Sequence, residues 1–146
     1  MLGSTSTNRI LLFFLSFSLV VDYSYLFLLS YSQFSHTYKY ILSAEGYNVE
    51  AFTDPQEALK HFVQLPDPSS HYKLAVLDIR IPKLNGLQLF YQMKKLSPRI
   101  KIMFCSALEI AEELISVLPD LKHNYIIRKP VEREYFINKI NSALNK

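Results

Sequence analysis

The chain has 146 residues, 49% of them apolar and 20% charged, with a formal net charge of +3, which leaves room for one domain with a sizeable core and little for a second. The basic residues are dispersed, the densest spots being Lys94-Lys95 and Arg99-Ile100-Lys101, so no basic stripe marks a nucleic-acid surface. A single cysteine, Cys105, excludes a disulfide framework and fits a reducing, cytoplasmic compartment, and His36, His61, His71 and His123 have no zinc-ligand spacing with it or with one another.

From Ile10 to Tyr31 the chain reads ILLFFLSFSLVVDYSYLFLLSY, with Asp22 as its only charge. Such a run is long enough to cross a bilayer. A central Asp costs ~2.5–3.5 kcal/mol on the insertion scale, which many leucines and phenylalanines offset. As a secretory signal the run has too long an apolar core and no small-residue cleavage site. A membrane anchor over 10–31 therefore stands as one reading of the segment.

Further on, Phe34, Tyr38, Ile41 and Leu42 fall at i, i+4, i+7 and i+8, one face of a helix that Gly46 stops. Tyr47 to Phe52 follows as a short strand. Asp54-Pro55-Gln56-Glu57 then supplies an N-cap, a proline at the first helical position and a capping-box Glu. The helix it opens carries Ala58, Leu59 and Phe62 inward and breaks at Pro66-Asp67-Pro68. Leu74-Ala75-Val76-Leu77 is apolar without alternation, as in a strand buried on both faces of a parallel sheet. Gly86 precedes a helix with Leu87, Phe90 and Met93 inward. Ile100 to Cys105 is the next strand, Glu109 to Leu118 a helix, and Tyr125-Ile126-Ile127 a last strand. Glu132 to Leu144 closes the chain as an amphipathic helix with Phe136, Ile137, Ile140 and Leu144 inward.

Strands and helices in strict alternation imply parallel crossovers and helices on both faces of one sheet. Ligands of such sheets lie just beyond the carboxyl ends of the strands. At those ends the chain places Asp78, followed by Pro82 and Gly86 at the fourth and eighth positions; Ser106-Ala107, 28 residues beyond Asp78; and Lys129-Pro130, 23 residues further. There is no glycine-rich phosphate loop, nucleophile elbow or dinucleotide fingerprint.

Over residues 38–146 this pattern resembles the response-regulator receiver domains of two-component phosphorelay signalling. The implied fold is a flavodoxin-like α/β doubly wound five-stranded parallel sheet of order 2-1-3-4-5 with helices on both faces. The resemblance makes Asp78 the acceptor of an aspartyl phosphate, a carboxylate acting as nucleophile toward phosphorus. It makes Ser106, Ala107, Lys129 and Pro130 the phosphate-binding and switch positions, and Arg80, Pro82 and Gly86 the active-site loop. Lys129 would supply a point charge and Ser106 a hydroxyl donor. The implied partners are a histidine kinase or phosphotransfer protein, a downstream protein target and a second copy through the final helices. Catalysis would be limited to accepting and slowly losing the phosphoryl group, and with no output domain after Lys146 the chain reads as a stand-alone receiver.

The chain also departs from the family. The acidic pair that follows the family's first strand, and with the acceptor holds Mg²⁺, has no full counterpart. Its nearest equivalent is Ser18-Leu19-Val20-Val21-Asp22-Tyr23, with Asp22 as one ligand beside Asp78 and the Arg80 backbone carbonyl. The family's switch aromatic falls at Ile126, while Tyr125 stands one residue earlier, and one residue in a strand changes face. Residues 1–37 thus read as a degenerate first strand and start of the first helix, as an anchor, or as the product of a displaced reading frame upstream of about residue 36. A pseudo-receiver, the same fold used as a binding module without phosphorylation, is the alternative function.

Overall fold

A computed structural model describes residues 25–29, 34–79, 86–107, 115–116, 118 and 125–145. Strands β1 (Tyr25–Leu29), β2 (Asn48–Phe52), β3 (Tyr72–Asp78), β4 (Lys101–Ala107) and β5 (Ile126–Lys129) form one sheet of order β2-β1-β3-β4-β5. Every neighbouring pair is parallel. This is the doubly wound order expected from the sequence. The helices are α1 (Phe34–Ala44), α2 (Pro55–Gln64), the single turn α3 (Pro68–His71), α4 (Gly86–Leu96) and α5 (Arg133–Leu144).

Local signals act as expected. The Asp54 side chain accepts hydrogen bonds from Gln56 N at 2.7 Å and Glu57 N at 3.2 Å, capping α2 with Pro55 in its first turn. Gly46, at φ +93°, turns the chain after α1, with Tyr47 N donating to Leu42 O at 3.1 Å. An L side chain rarely takes that conformation. At the predicted break Pro66-Asp67-Pro68, α2 has ended and α3 begins at Pro68.

The central strands are buried on both faces, which explains their unbroken apolar runs. Ala75, Leu77, Ile102, Phe104 and Ile126 pack under Ala58 and Phe62 of α2 and Leu89 and Met93 of α4. Leu74, Val76, Met103, Cys105 and Ile127 pack under Tyr38 and Leu42 of α1 and Phe136 and Ile140 of α5. A fully buried leucine or phenylalanine contributes about 1.5–3 kcal/mol; Leu42, Phe62, Leu74, Leu77, Phe104 and Phe136 are all below 2% exposed.

The first described strand is Tyr25–Leu29, after Asp22 in the chain; the stretch from Ser18 to Tyr23, where the sequence reading places the acidic counterpart, lies outside the described residues. The register of β1 is set by neighbours on both sides, Leu29 pairing with Phe52 and with Leu77. An apolar run of this length contains many equivalent strands, and pairing with β2 and β3 selects one of them. Tyr25–Leu29 lies inside the 10–31 run and is a sheet strand; residues 10–24, 30 and 31 of that run lie outside the described residues. No helix among the described residues is long and apolar enough to cross a membrane.

Candidate functional site

Asp78 ends β3 and Lys129 ends β5, with β4 between them. Strands one apart in a sheet lie about 9–10 Å from each other, a gap that a lysine stem and a carboxylate reach across from opposite sides. Register puts both on one face: Asp78 pairs with Cys105, Cys105 pairs with Ile127, and Lys129 is two residues beyond Ile127. Lys129 Nζ donates to Asp78 Oδ2 at 2.7 Å, with side-chain exposures of only 21% and 9%. A charge-assisted bond of this length is among the stronger kinds, and more so away from water.

Ser106 follows the strand partner of Asp78 and is 1% exposed. Its Oγ has no hydrogen-bond partner among the described residues. A buried hydroxyl left in that state costs about 1–3 kcal/mol, so the resting arrangement does not use it. Ala107 is half-buried and pairs with Lys129, and Pro130 is exposed after a cis Lys129-Pro130 bond.

Gly86 closes the far side of the loop after Asp78, donating its N–H to Ile79 O at 3.3 Å. A Cβ there would sit 2.5 Å from Asp78 O and 2.9 Å from Ile79 Cα. Only a residue without a side chain lets α4 begin against the peptide of Asp78. Arg80, Pro82 and Asp22 lie outside the described residues.

Two neutral groups that the sequence reading gave no role line the floor under Asp78. Cys105 is 3% exposed beside it in the sheet; burial pushes its thiol up to about 11, Asp78 adding to the shift and Lys129 opposing it. Tyr38 of α1 lies beneath, its ring 4.6 Å from that of Phe136. Burial holds its phenol far above the usual tyrosine value, helped by a hydrogen bond with Cys105 and by the Asp78 charge. The only sequence signal for Tyr38 is a hydroxylated ring in an otherwise apolar inward row.

Tyr125 does not join Ser106. It packs at the rim of the core that holds Ile127 and Phe136, while Ser106 continues the face of Phe104, with which Ile126 pairs. Tyr125 stands just before β5, and it packs against one core while Ile126 lies in the other. Away from these strand ends, the fold brings His61 Nε2 to 3.1 Å from Glu50 Oε2 and 2.8 Å from Tyr72 Oη, and Tyr72 also donates to Glu50.

As a cation site the strand ends are poorly furnished. Among the described residues there is no group of three His, Cys, Asp or Glu side chains able to hold a metal. The residues directly after β1 are Ser30 and Tyr31, and no Asp or Glu occurs from Tyr23 to Ala44. Asp22 precedes β1 in the chain, whereas the carboxyl end of β1, at Leu29, is the end beside Asp78. Mg²⁺ seeks carboxylate oxygens in near-octahedral geometry. Among the described residues, the carboxylate of Asp78, with one oxygen held by Lys129, does not by itself meet that requirement.

Residues 32–141 match the family described as the response regulator receiver domain. The chain is 28% identical to the chemotaxis protein CheY of Thermotoga maritima over 110 residues, covering 74% of this chain and 82% of that protein. It is 27% identical to the transcriptional regulatory protein RprY of Bacteroides fragilis over 72% of this chain and 42% of that protein; the chain spans about two fifths of the length of such regulators. A response regulator receiver domain protein from Clostridium thermocellum superposes with a TM-score of 0.72 at 20% identity, over 84% of this chain and 94% of that one. The CheX–CheY–BeF3–Mg complex from Borrelia burgdorferi gives 0.72 at 21% identity, over 84% and 90%.

Proposed function

The chain belongs to the response regulator receiver domain family, and from that premise we propose that it accepts a phosphoryl group on Asp78 and signals through protein contacts. The observation that carries this reading is the 2.7 Å Lys129–Asp78 pair at the carboxyl ends of β3 and β5, with Ser106 near the end of β4, the strand between them. An Asp78 oxygen attacks phosphorus, the bond from phosphorus to the donor's histidine nitrogen breaks, and that nitrogen leaves with the electron pair. Lys129 turns its charge from the carboxylate to a phosphoryl oxygen, and Ser106 donates its hydroxyl to another. Moving Ser106 toward the phosphate alters the sheet face where β4 and β5 end, a two-state element biased by a local charge change. No step here passes through a metal ion.

The donor is a histidine kinase or phosphotransfer protein, and the reader is a downstream protein or a second copy of the chain. Intact-protein mass after incubation with acetyl phosphate tests the reading, with Mg²⁺ and with a chelator in parallel. One phosphoryl group on the wild-type chain and none on Asp78→Asn is the expected result. No adduct on folded wild type, alongside a labelled receiver that keeps its acidic pair, would overturn it. The second reading, a pseudo-receiver that binds partners without phosphorylation, is favoured by one observation: β1 leads into Ser30-Tyr31 rather than a pair of carboxylates.

A further inference from the structure

Beneath Asp78 the core holds two side chains with polar ends, contributed by different elements. Cys105 of β4 is the strand partner of Asp78 and the residue before Ser106, and Tyr38 of α1 lies in the same core as Cys105. Asp78, Cys105 and Tyr38 are 7%, 3% and 7% exposed. From that arrangement we infer that Tyr38 and Cys105 are positioning residues, a hydrogen-bonded link by which the charge on Asp78 is passed to α1 and, through it, to α5. The inference rests on reading Asp78 as the group whose charge changes in signalling, and it gives that change a second route besides Ser106.

The link is built from contacts on both sides. The Tyr38 phenol is hydrogen-bonded with the Cys105 thiol, and the Asp78 charge acts on both groups. Away from water a hydrogen bond responds more strongly to a neighbouring charge, and linked bonds polarise one another. Burial keeps both groups protonated, so the link works through the strength of the bond and not by passing on a proton.

On its other side, the Tyr38 ring lies 4.6 Å from that of Phe136 in α5. Two more ties hold the chain after α1 to α5. Arg133 donates to Glu45 Oε1 at 2.9 Å, and Tyr47 donates its hydroxyl to Asn141. In a close-packed interior a displacement of α1 is carried into α5 rather than absorbed between them. Phenylalanine at position 38 would keep the ring on Phe136 and lose only the hydroxyl, which separates the link from the packing.

Amide spectra of the isotopically labelled whole chain test this, with Asp78→Asn as the change of charge and no phosphate present. Asp78→Asn is expected to displace the amide signals of α1 and those at the ends of β4 and β5. In a Tyr38→Phe background the displacement across α1 should fall about twofold or more, while that at the ends of β4 and β5 stays. Cys105→Ala should give the same selective loss. The infrared S–H band, which a single cysteine makes unambiguous, should move on Tyr38→Phe. An α1 displacement that is equal with and without the hydroxyl would overturn the inference. So would an equal loss at every element, or an S–H band that Tyr38→Phe leaves in place. Should Asp78→Asn not fold, Lys129→Met changes the field at the same carboxylate and makes the same comparison. Phosphoryl uptake is read separately by mass, so failure of that reading and failure of this one are distinguishable.

Discussion

Lys129 and Asp78 stand 51 positions apart in the chain and meet at 2.7 Å because both end parallel strands on one face of the sheet. Whatever changes the charge on Asp78 is therefore felt at once by β5 and by α5, which begins four residues after Lys129.

The energetic coupling of that pair is measurable. Asp78→Asn and Lys129→Met are each expected to destabilise the chain by about 3 kcal/mol, the lower end for a broken buried pair, since a fifth of the Lys129 side chain is exposed. The double variant should lose clearly less than the two single losses combined. Urea unfolding of the four proteins closes the cycle, and simple additivity would mean that the two groups do not interact.

Ser106 offers a separation of stability from signalling. Its hydroxyl is buried without a partner among the described residues, so Ser106→Ala removes a desolvated polar group and is expected to leave stability unchanged or raise it by up to about 1 kcal/mol. The phosphoryl adduct on Asp78 should still form, while the accompanying change in the amide spectrum of β4 and β5 should shrink. A loss of more than about 1 kcal/mol in unfolding would mean that the hydroxyl already has work in the resting state.

Gly86→Ala places a methyl group against backbone that has no flexible end to move, at 2.5 Å from Asp78 O. Overpacking of that kind costs about 1–3 kcal/mol. Because the clash is with the peptide of Asp78, the proposed acceptor, phosphoryl uptake should fall along with stability. A variant that unfolds like wild type and labels at the wild-type rate would show that α4 begins farther from Asp78.

The alkaline limb of stability follows from Cys105 and Tyr38. Both are acids kept protonated in the folded chain and free to ionise in the unfolded one. Their contribution is thus complete below the ordinary thiol value of 9.0 and is lost as pH climbs toward about 11. Tyr38 adds a loss of the same sign above 10.0. Unfolding free energy should decline across that window, and less steeply in Cys105→Ala. At neutral pH, a thiol reagent should label Cys105 only when the chain unfolds.

Much of this architecture is legible in the sequence because chemistry and punctuation coincide. Asp78, Ser106 and Lys129 each stand at the end of an apolar run, where a parallel sheet gathers its polar groups. Asp54-Pro55 and Gly46 mark helix ends by hydrogen bonding and by backbone conformation. The first strand is different: between Ile10 and Tyr31 no turn residue or alternation distinguishes one register from another, and only β2 and β3 select Tyr25–Leu29. Tyr38 reads as one more apolar position until the fold brings its phenol to Cys105 of β4. The His61, Glu50 and Tyr72 contacts join residues 11 and 22 positions apart, a meeting that no short spacing rule anticipates.

Strand β1 is bonded on both sides, to β2 and to β3, yet the segment that carries the family likeness begins only at residue 32. A fragment cut at that boundary would lose the inner joint of its sheet. The facing edges of β2 and β3 would then present unpaired backbone, a ready template for another chain. Such a fragment is expected to clump rather than fold, and any useful dissection of the protein has to keep Tyr25–Leu29.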